Sequence, residues 1–257
     1  MASRCRFEVE DSIATIVIDN PPVNALHPEL SDEIAEILAG FARDGGIRVV
    51  VLTGTGRHFV SGADLHYVRT IGRHEAEAYA LRIQAMQDCI RTLHQPVIAA
   101  INGTVLGGGL ELAMACDLRI AEEQARFGQP EVTLGLIPGA GGTQNLPRLI
   151  PPGRAKRMLF TGERIAADEA LRLGLVDEVV GTGEAREAAT ALARRIAANA
   201  PLAVAAVKRA VDLGTQPNLV EGHRIEATLF GPLVETADLA EGIEAFFAKR
   251  PPQFMGK

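Results

Sequence analysis

Apolar residues along this chain follow two rhythms, and the change from one to the other divides it. Residues 7–10 and 13–19 alternate apolar and polar positions, the period of a half-buried strand, with a turn expected at Asp11-Ser12. Asn20-Pro21-Pro22 breaks the chain. Pro28 then opens a helical pattern in which Leu30, Ile34, Ile37, Leu38 and Phe41 recur at three and four. Residues 48–53 form another strand, with Val-Val-Val-Leu at its centre. Strand, helix and strand in that order predict an α/β layered fold. A loop is expected from Gly54 through Leu65, then a long helix over 74–94 with Ala78, Leu81, Ile83, Ala85, Met86 and Ile90 on its apolar face. Strands are predicted at 117–121 and 175–180, with several short helices between them. After Glu184 the pattern is helical only, over 184–199, 201–213, 218–235 and 237–249. A boundary near residue 195 therefore separates a mixed core, 1–195, from a helical region, 196–257.

The stretch 96–121 carries the candidate chemistry. Residues 97–101 are apolar and rich in β-branched side chains, a buried strand ended by Asn102-Gly103. Gly107, Gly108 and Gly109 precede a helix whose first turns, from Leu110 to Cys116, are apolar except for Glu111. A carboxylate is costly in apolar surroundings, so the fold must have a use for it. Gly108 and Glu111 share a helix face, about 4.5 Å apart in rise. A helix start offers free N–H groups, and glycine lets a ligand approach them closely. The same pattern also fits a core helix whose glutamate faces a structural polar pocket, and the stretch alone leaves both readings open. Its three glycines, Asn102 and Glu111 argue against a membrane span.

Composition narrows the field by exclusion. The 257 residues are ample for a core and carry a net charge of −6, with no Lys/Arg cluster and only two Tyr and no Trp. Nucleic acid is not an expected partner. Cys5, Cys89 and Cys116 are odd in number and form no Cys-x-x-Cys pair, as expected of reduced thiols in a cytoplasmic protein. The N-terminal segment has no apolar signal core. Other motifs fail on inspection. Gly139-Ala140-Gly141-Gly142-Thr143-Gln144 has Gln where a dinucleotide loop needs its third glycine. The run from Gly103 to Gly108 lacks the Lys-Ser/Thr of a phosphate loop, Ser61 has Phe59 where a nucleophile elbow has glycine, and the six histidines form no metal cluster.

Three segments taken together do match a known pattern: Phe59-x-Ser-Gly-Ala-Asp-Leu65; Pro96 to Gly103 running on to Gly-Gly-Gly-Leu-Glu111; and Phe127-Gly-Gln-Pro-Glu131 with Pro138-Gly-Ala-Gly-Gly-Thr-Gln144. In this the chain resembles the crotonase, or enoyl-CoA hydratase/isomerase, superfamily over nearly its whole length. The resemblance implies an α/β spiral of β-β-α repeats with a helical C-terminal region that packs trimers or dimers of trimers. It implies an acyl-CoA substrate, with CoA brought in as part of that substrate and no separate cofactor or metal. By motif, the amides of Ala63 and Gly108 are expected to hold the thioester oxygen, where each such donor is worth about 3 kcal/mol in the transition state.

Members that hydrate an enoyl thioester carry glutamates at the positions of Glu111 and Glu131, and this chain has both. The resemblance makes Glu111 the base on the attacking water and Glu131 the acid toward Cα, with the Gly139 amide helping to hold that water. Two carboxylates sharing a water suit the task, since proximity keeps one neutral and the other charged. CoA contacts are implied at Ala25, Leu26, Ala63, Asp64, Leu65 and His66, with Phe246 and Lys249 near the nucleotide, on the same or an adjacent subunit. Asp64 is not expected to be catalytic, and its pattern also fits a helix cap. His66 departs from the pattern, standing where such hydratases often carry a lysine.

Overall fold

A computed structural model describes residues 3–257; Met1 and Ala2, part of the segment read for a targeting signal, lie outside it. The chain opens with β1 (Cys5–Glu10) and β2 (Ile13–Ile18), paired antiparallel. Asp11 and Ser12 between them both hold positive φ, 49° and 65°. That backbone gives a two-residue hairpin the twist of its strands. In α1 (Pro28–Phe41) the proline sits in the first turn, where its missing N–H costs nothing, and His27 caps the helix by accepting from the Glu29 amide.

From here the chain winds in repeated turns. β3 (Val49–Gly54) and β4 (His58–Val60) lead through the short α2 (Leu65–Val68) to α3 (Arg73–Thr92). β5 (Val97–Ile101) and β6 (Thr104–Leu106) lead to α4 (Gly108–Ala115). β7 (Leu118–Glu122) and β8 (Arg126–Gly128) lead to a 3-10 turn, Glu131–Leu134, then α5 (Gly142–Leu149) and α6 (Pro152–Thr161). β9 (Arg164–Ala166), α7 (Ala167–Leu173) and β10 (Glu178–Val180) complete the core. In the β3-β4, β5-β6 and β7-β8 pairs the first strand joins one sheet, ordered β1-β2-β3-β5-β7-β10, and the second joins another, ordered β4-β6-β8-β9. Apart from β1–β2 and β8–β9, all pairs are parallel. This is the β-β-α spiral that the resemblance implies.

The central strands of the larger sheet, β2, β3 and β5, are buried on both faces, as their continuous apolar runs require. Val50, Leu52, Ala99 and Ile101 face the main core. Val49, Val51, Ile98 and Ala100 face α8 (Ala185–Ala197), which lays Ala185, Ala189 and Ala193 on them. Alanine every fourth residue forms one stripe of small side chains, so the helix seats close to the sheet.

Several sequence expectations need correcting. The loop expected from Gly54 to Leu65 contains β4, and the whole smaller sheet was missed, because its four strands are three residues each, too short for an alternation to register. The strands expected at 117–121 and 175–180 are Leu118–Glu122 and Glu178–Val180. The helix expected over 218–235 is α10 (Leu219–Phe230) followed by a 3-10 turn, Gly231–Glu235, since Pro232 cannot continue the α-helical ladder. Residue 195 falls in the last turn of α8, and α9 (Pro201–Gly214), α10 and α11 (Ala237–Ala248) follow. Lys208 on α9 is buried and donates from Nζ to the carbonyls of Ile90 (3.0 Å) and Gln95 (3.1 Å) and to the Asp117 carboxylate (2.8 Å). It pins α9 to the core.

Candidate active site

The site is built around the peptide between Gly107 and Gly108. Gly107 ends β6 by donating to the Gly128 carbonyl of β8 (2.9 Å), and with φ at +51° it turns the chain into α4. That left-handed conformation disfavours any residue with a side chain. A side chain would also displace the carboxyl next to it: a Cβ on Gly107 would lie 2.7 Å from Glu131 Oε1. A Cβ on Gly108 would lie 3.1 Å from Leu26 Cδ1, 3.6 Å from the Ala63 nitrogen and 3.8 Å from Glu111 Oε2. Two carboxylates and a backbone amide from three separate turns of the spiral therefore converge on one dipeptide.

Glu111 is 2% exposed. Its Oε1 accepts from the amides of Ala140 (2.9 Å) and Gly142 (2.7 Å), leaving Oε2 turned toward Gly108. Burial pushes its pKa up, and the two amides oppose that shift by stabilising the carboxylate. Glu131 starts the 3-10 turn after β8 and is half-buried. Burial first, with the charge of Glu111 adding to it, raises its pKa to about 7. The Gln129 side chain is fully buried, and its amide nitrogen, assigned by its partners, lies 3.1 Å from both Glu131 oxygens. Oε1 of Glu111 is thus held by two amides from another turn, and both carboxyls are shifted upward, so the pair holds a proton more readily than two free glutamates would.

Ala63 is presented by a single parallel bridge to Leu26. Leu26 N–H donates to the Gly62 carbonyl (2.8 Å), and the Asp64 amide donates to the Leu26 carbonyl (3.0 Å). In such a bridge the middle residue turns its own N–H to the opposite side. Among the described residues neither the Ala63 nor the Gly108 amide has a partner in the chain. The Gly139 amide has none either, while its carbonyl accepts from Gln84 (2.7 Å).

The remaining expected residues sort by place. Asp64 caps α2, accepting from the amides of His66 (2.8 Å) and Tyr67 (3.2 Å), and Leu65 and His66 are exposed beside it. Ala25 adjoins Leu26 on the bridge segment. Phe246 and Lys249 sit apart, at the end of α11. Phe246 is 78% exposed and meets Phe247 edge-on at 5.7 Å between ring centres. Neither side chain hydrogen-bonds or ion-pairs with the 63–66 segment among the described residues. Sequence reading missed the Ala140 and Gly142 amides and Gln129. The glycine-dense loop and the Phe-Gly-Gln-Pro-Glu motif contained them, but which atoms turn inward is a tertiary fact.

The two-sheet β-β-α spiral is that of the crotonase fold, and on it the buried Glu111 and the half-buried Glu131 stand beside two amides with no partner among the described residues. Comparison with known proteins agrees. The sequence profile described as Enoyl-CoA hydratase/isomerase matches residues 8–257. The chain is 42% identical to the crotonyl-CoA hydratase of Syntrophomonas wolfei, over 98% of this chain and 97% of that protein. It is 40% identical to the short-chain-enoyl-CoA hydratase of Clostridium acetobutylicum, over 95% and 94%. The crystal structure of enoyl-CoA hydratase from Bacillus anthracis superposes with a TM-score of 0.96 at 40% identity, covering 99% of this chain and all of that one. The chain belongs to the enoyl-CoA hydratase/isomerase family.

Proposed function

We propose that this protein is an enoyl-CoA hydratase, adding water reversibly and syn to a trans-2-enoyl-CoA to give the 3-hydroxyacyl-CoA. The observation that carries this reading is the convergence of Glu111, Glu131 and the Ala63 and Gly108 amides on one point, with Glu111 held by two backbone amides and Glu131 by the Gln129 side chain. The thioester oxygen accepts from Ala63 and Gly108, which stabilise the enolate charge as it develops. Glu111, held as a carboxylate, takes a proton from water as the oxygen attacks Cβ. Glu131, with its raised pKa, gives its proton to Cα. The Gly139 amide steadies the water. The reaction written this way balances without a metal or a cofactor beyond the CoA of the substrate.

Ala25, Leu26 and the 63–66 segment are the CoA contacts of this reading, with Asp64 acting through its cap. Residues 1–195 bind and react the thioester, and 196–257 assemble the chain as a trimer or a dimer of trimers. Exposed apolar side chains on α9–α11 support that assembly, which also brings Phe246 and Lys249 to the nucleotide of a neighbouring subunit's substrate. The cytoplasm, where three free thiols stay reduced, is the location this implies.

The test is hydration of crotonyl-CoA by the parent, Glu111→Gln and Glu131→Gln. Each single variant should lose at least ~10²-fold in kcat while still binding the thioester. The double variant should lose much less than the product of the two, because the pair works as a unit. A variant hydrating at near the parent rate refutes the two-glutamate mechanism. An isomerase would instead turn over a 3-enoyl-CoA faster than it hydrates.

A further inference from the structure

Tyr79 lies on α3, outside every motif that marked the site. It is 8% exposed, and its hydroxyl donates to the carbonyl of Leu26. Leu26 is the residue both candidate oxyanion donors depend on. Its N–H and carbonyl grip Gly62 and Asp64 on either side of Ala63, and its Cδ1 packs where a side chain on Gly108 would stand. The Leu26 carbonyl thus takes two donors, the Asp64 amide and the Tyr79 hydroxyl, and the second ties it to a twenty-residue helix. The ring is fixed in turn. Tyr79 meets Tyr67 edge-on at 5.2 Å, and Tyr67 meets His27 at 5.4 Å.

A lone β-bridge is a weak clamp, since it lacks neighbouring ladder bonds. A preorganised donor acts only while its aim holds within a few tenths of an ångström. We infer that Tyr79 is a positioning residue for the oxyanion donors: its hydroxyl immobilises the Leu26 carbonyl and so fixes the direction of the Ala63 N–H. It touches neither substrate nor reacting atoms. The inference rests on the reading of Ala63 and Gly108 as the thioester-oxygen donors.

The experiment uses para-dimethylaminocinnamoyl-CoA, whose absorption moves to longer wavelength when donors draw charge onto the thioester oxygen. Bound to the parent, it should show that red shift. Tyr79→Phe keeps the ring and removes one hydroxyl. It should shrink the red shift and lower kcat for crotonyl-CoA by ~10-fold or more, with KM changing far less. A purely structural hydroxyl would lower thermal stability and leave the red shift intact, and that result overturns the inference. No red shift in the parent overturns instead the assignment of the amide pair. If Tyr79→Phe does not fold, monofluoro- and difluorotyrosine replace it in a Tyr67→Phe background, where Tyr79 is the one tyrosine left. The red shift should then change with phenol acidity along the series, and a constant shift refutes the role.

Discussion

Glu131 sets the acidity of the site. Its pKa of about 7 is the consequence of burial first and of Glu111 second, so the pair as a unit, rather than either residue, holds one proton near neutrality. Catalysis in either direction begins from that singly protonated pair. Hydration takes up and releases no net proton, so kcat/KM for hydration and for dehydration must share one pH profile. The sign follows. Activity falls as pH rises through about 7 and the pair loses its last proton. Glu131→Gln should erase this limb from its residual rate. Rate profiles for crotonyl-CoA and 3-hydroxybutyryl-CoA check it, and a parent rate that is flat from pH 6 to about 9 contradicts it. Both glutamates were legible as candidates, Glu111 because a lone carboxylate in an apolar helix stands out. Their difference in role came from the family resemblance and not from any local pattern, because the amides that hold Glu111, those of Ala140 and Gly142, reach it from another turn of the fold.

At the scale of elements, the three consecutive glycines have different jobs. A Cβ on Gly109 would lie 1.9 Å from the Val60 carbonyl oxygen of β4, backbone that can yield only by parting strand from helix. Gly109→Ala should therefore cost at least ~3 kcal/mol or leave no folded protein. A Cβ on Gly107 meets instead the end of the Glu131 side chain, which can swing aside. Gly107→Ala should fold, with some loss of stability from its positive φ, and lose at least ~10²-fold in turnover because the acid is displaced. Thermal melts beside crotonyl-CoA rates separate the two, and a stable, active Gly109→Ala would contradict the packing argument. The glycine run itself was visible in the sequence. That one glycine faces a strand and its neighbours face carboxylates was not, since β4 is invisible to a periodicity of two.

The whole molecule leaves its C-terminal helices unevenly covered. Val207, Leu219, Val220, Phe230 and Phe247 are each more than 60% exposed, and no residue of α10 is buried. Leu239 is exposed as well, whereas Ile225, Leu229 and Leu233 are half-covered within the chain. Exposed apolar area of this extent is a mark of association. Light scattering at micromolar concentration should give three or six times the 27.3 kDa of one chain. A monomeric mass contradicts the proposed assembly. Lys208 bears on this, since its three hydrogen bonds hold α9 to the core while the outer faces of α9 and α10 stay open.

What the sequence by itself determined is what short-range physics encodes. The larger sheet follows from runs such as Val49 to Leu52, the hairpin from Asp11-Ser12, and the helical tail from its periodicity. The candidate carboxylates and glycines follow from motifs whose members lie within a few residues of each other. Tertiary structure alone decided how those motifs meet. Winding the chain in turns stacks β4, β6 and β8, and so sets Ala63, Gly107 and Glu131 side by side although their sequence separations are tens of residues. The same winding aims the Ala140 and Gly142 amides at Glu111 and the Tyr79 hydroxyl at Leu26. A side chain's direction and depth arise from packing between distant segments, and no local pattern of apolar and polar residues records them.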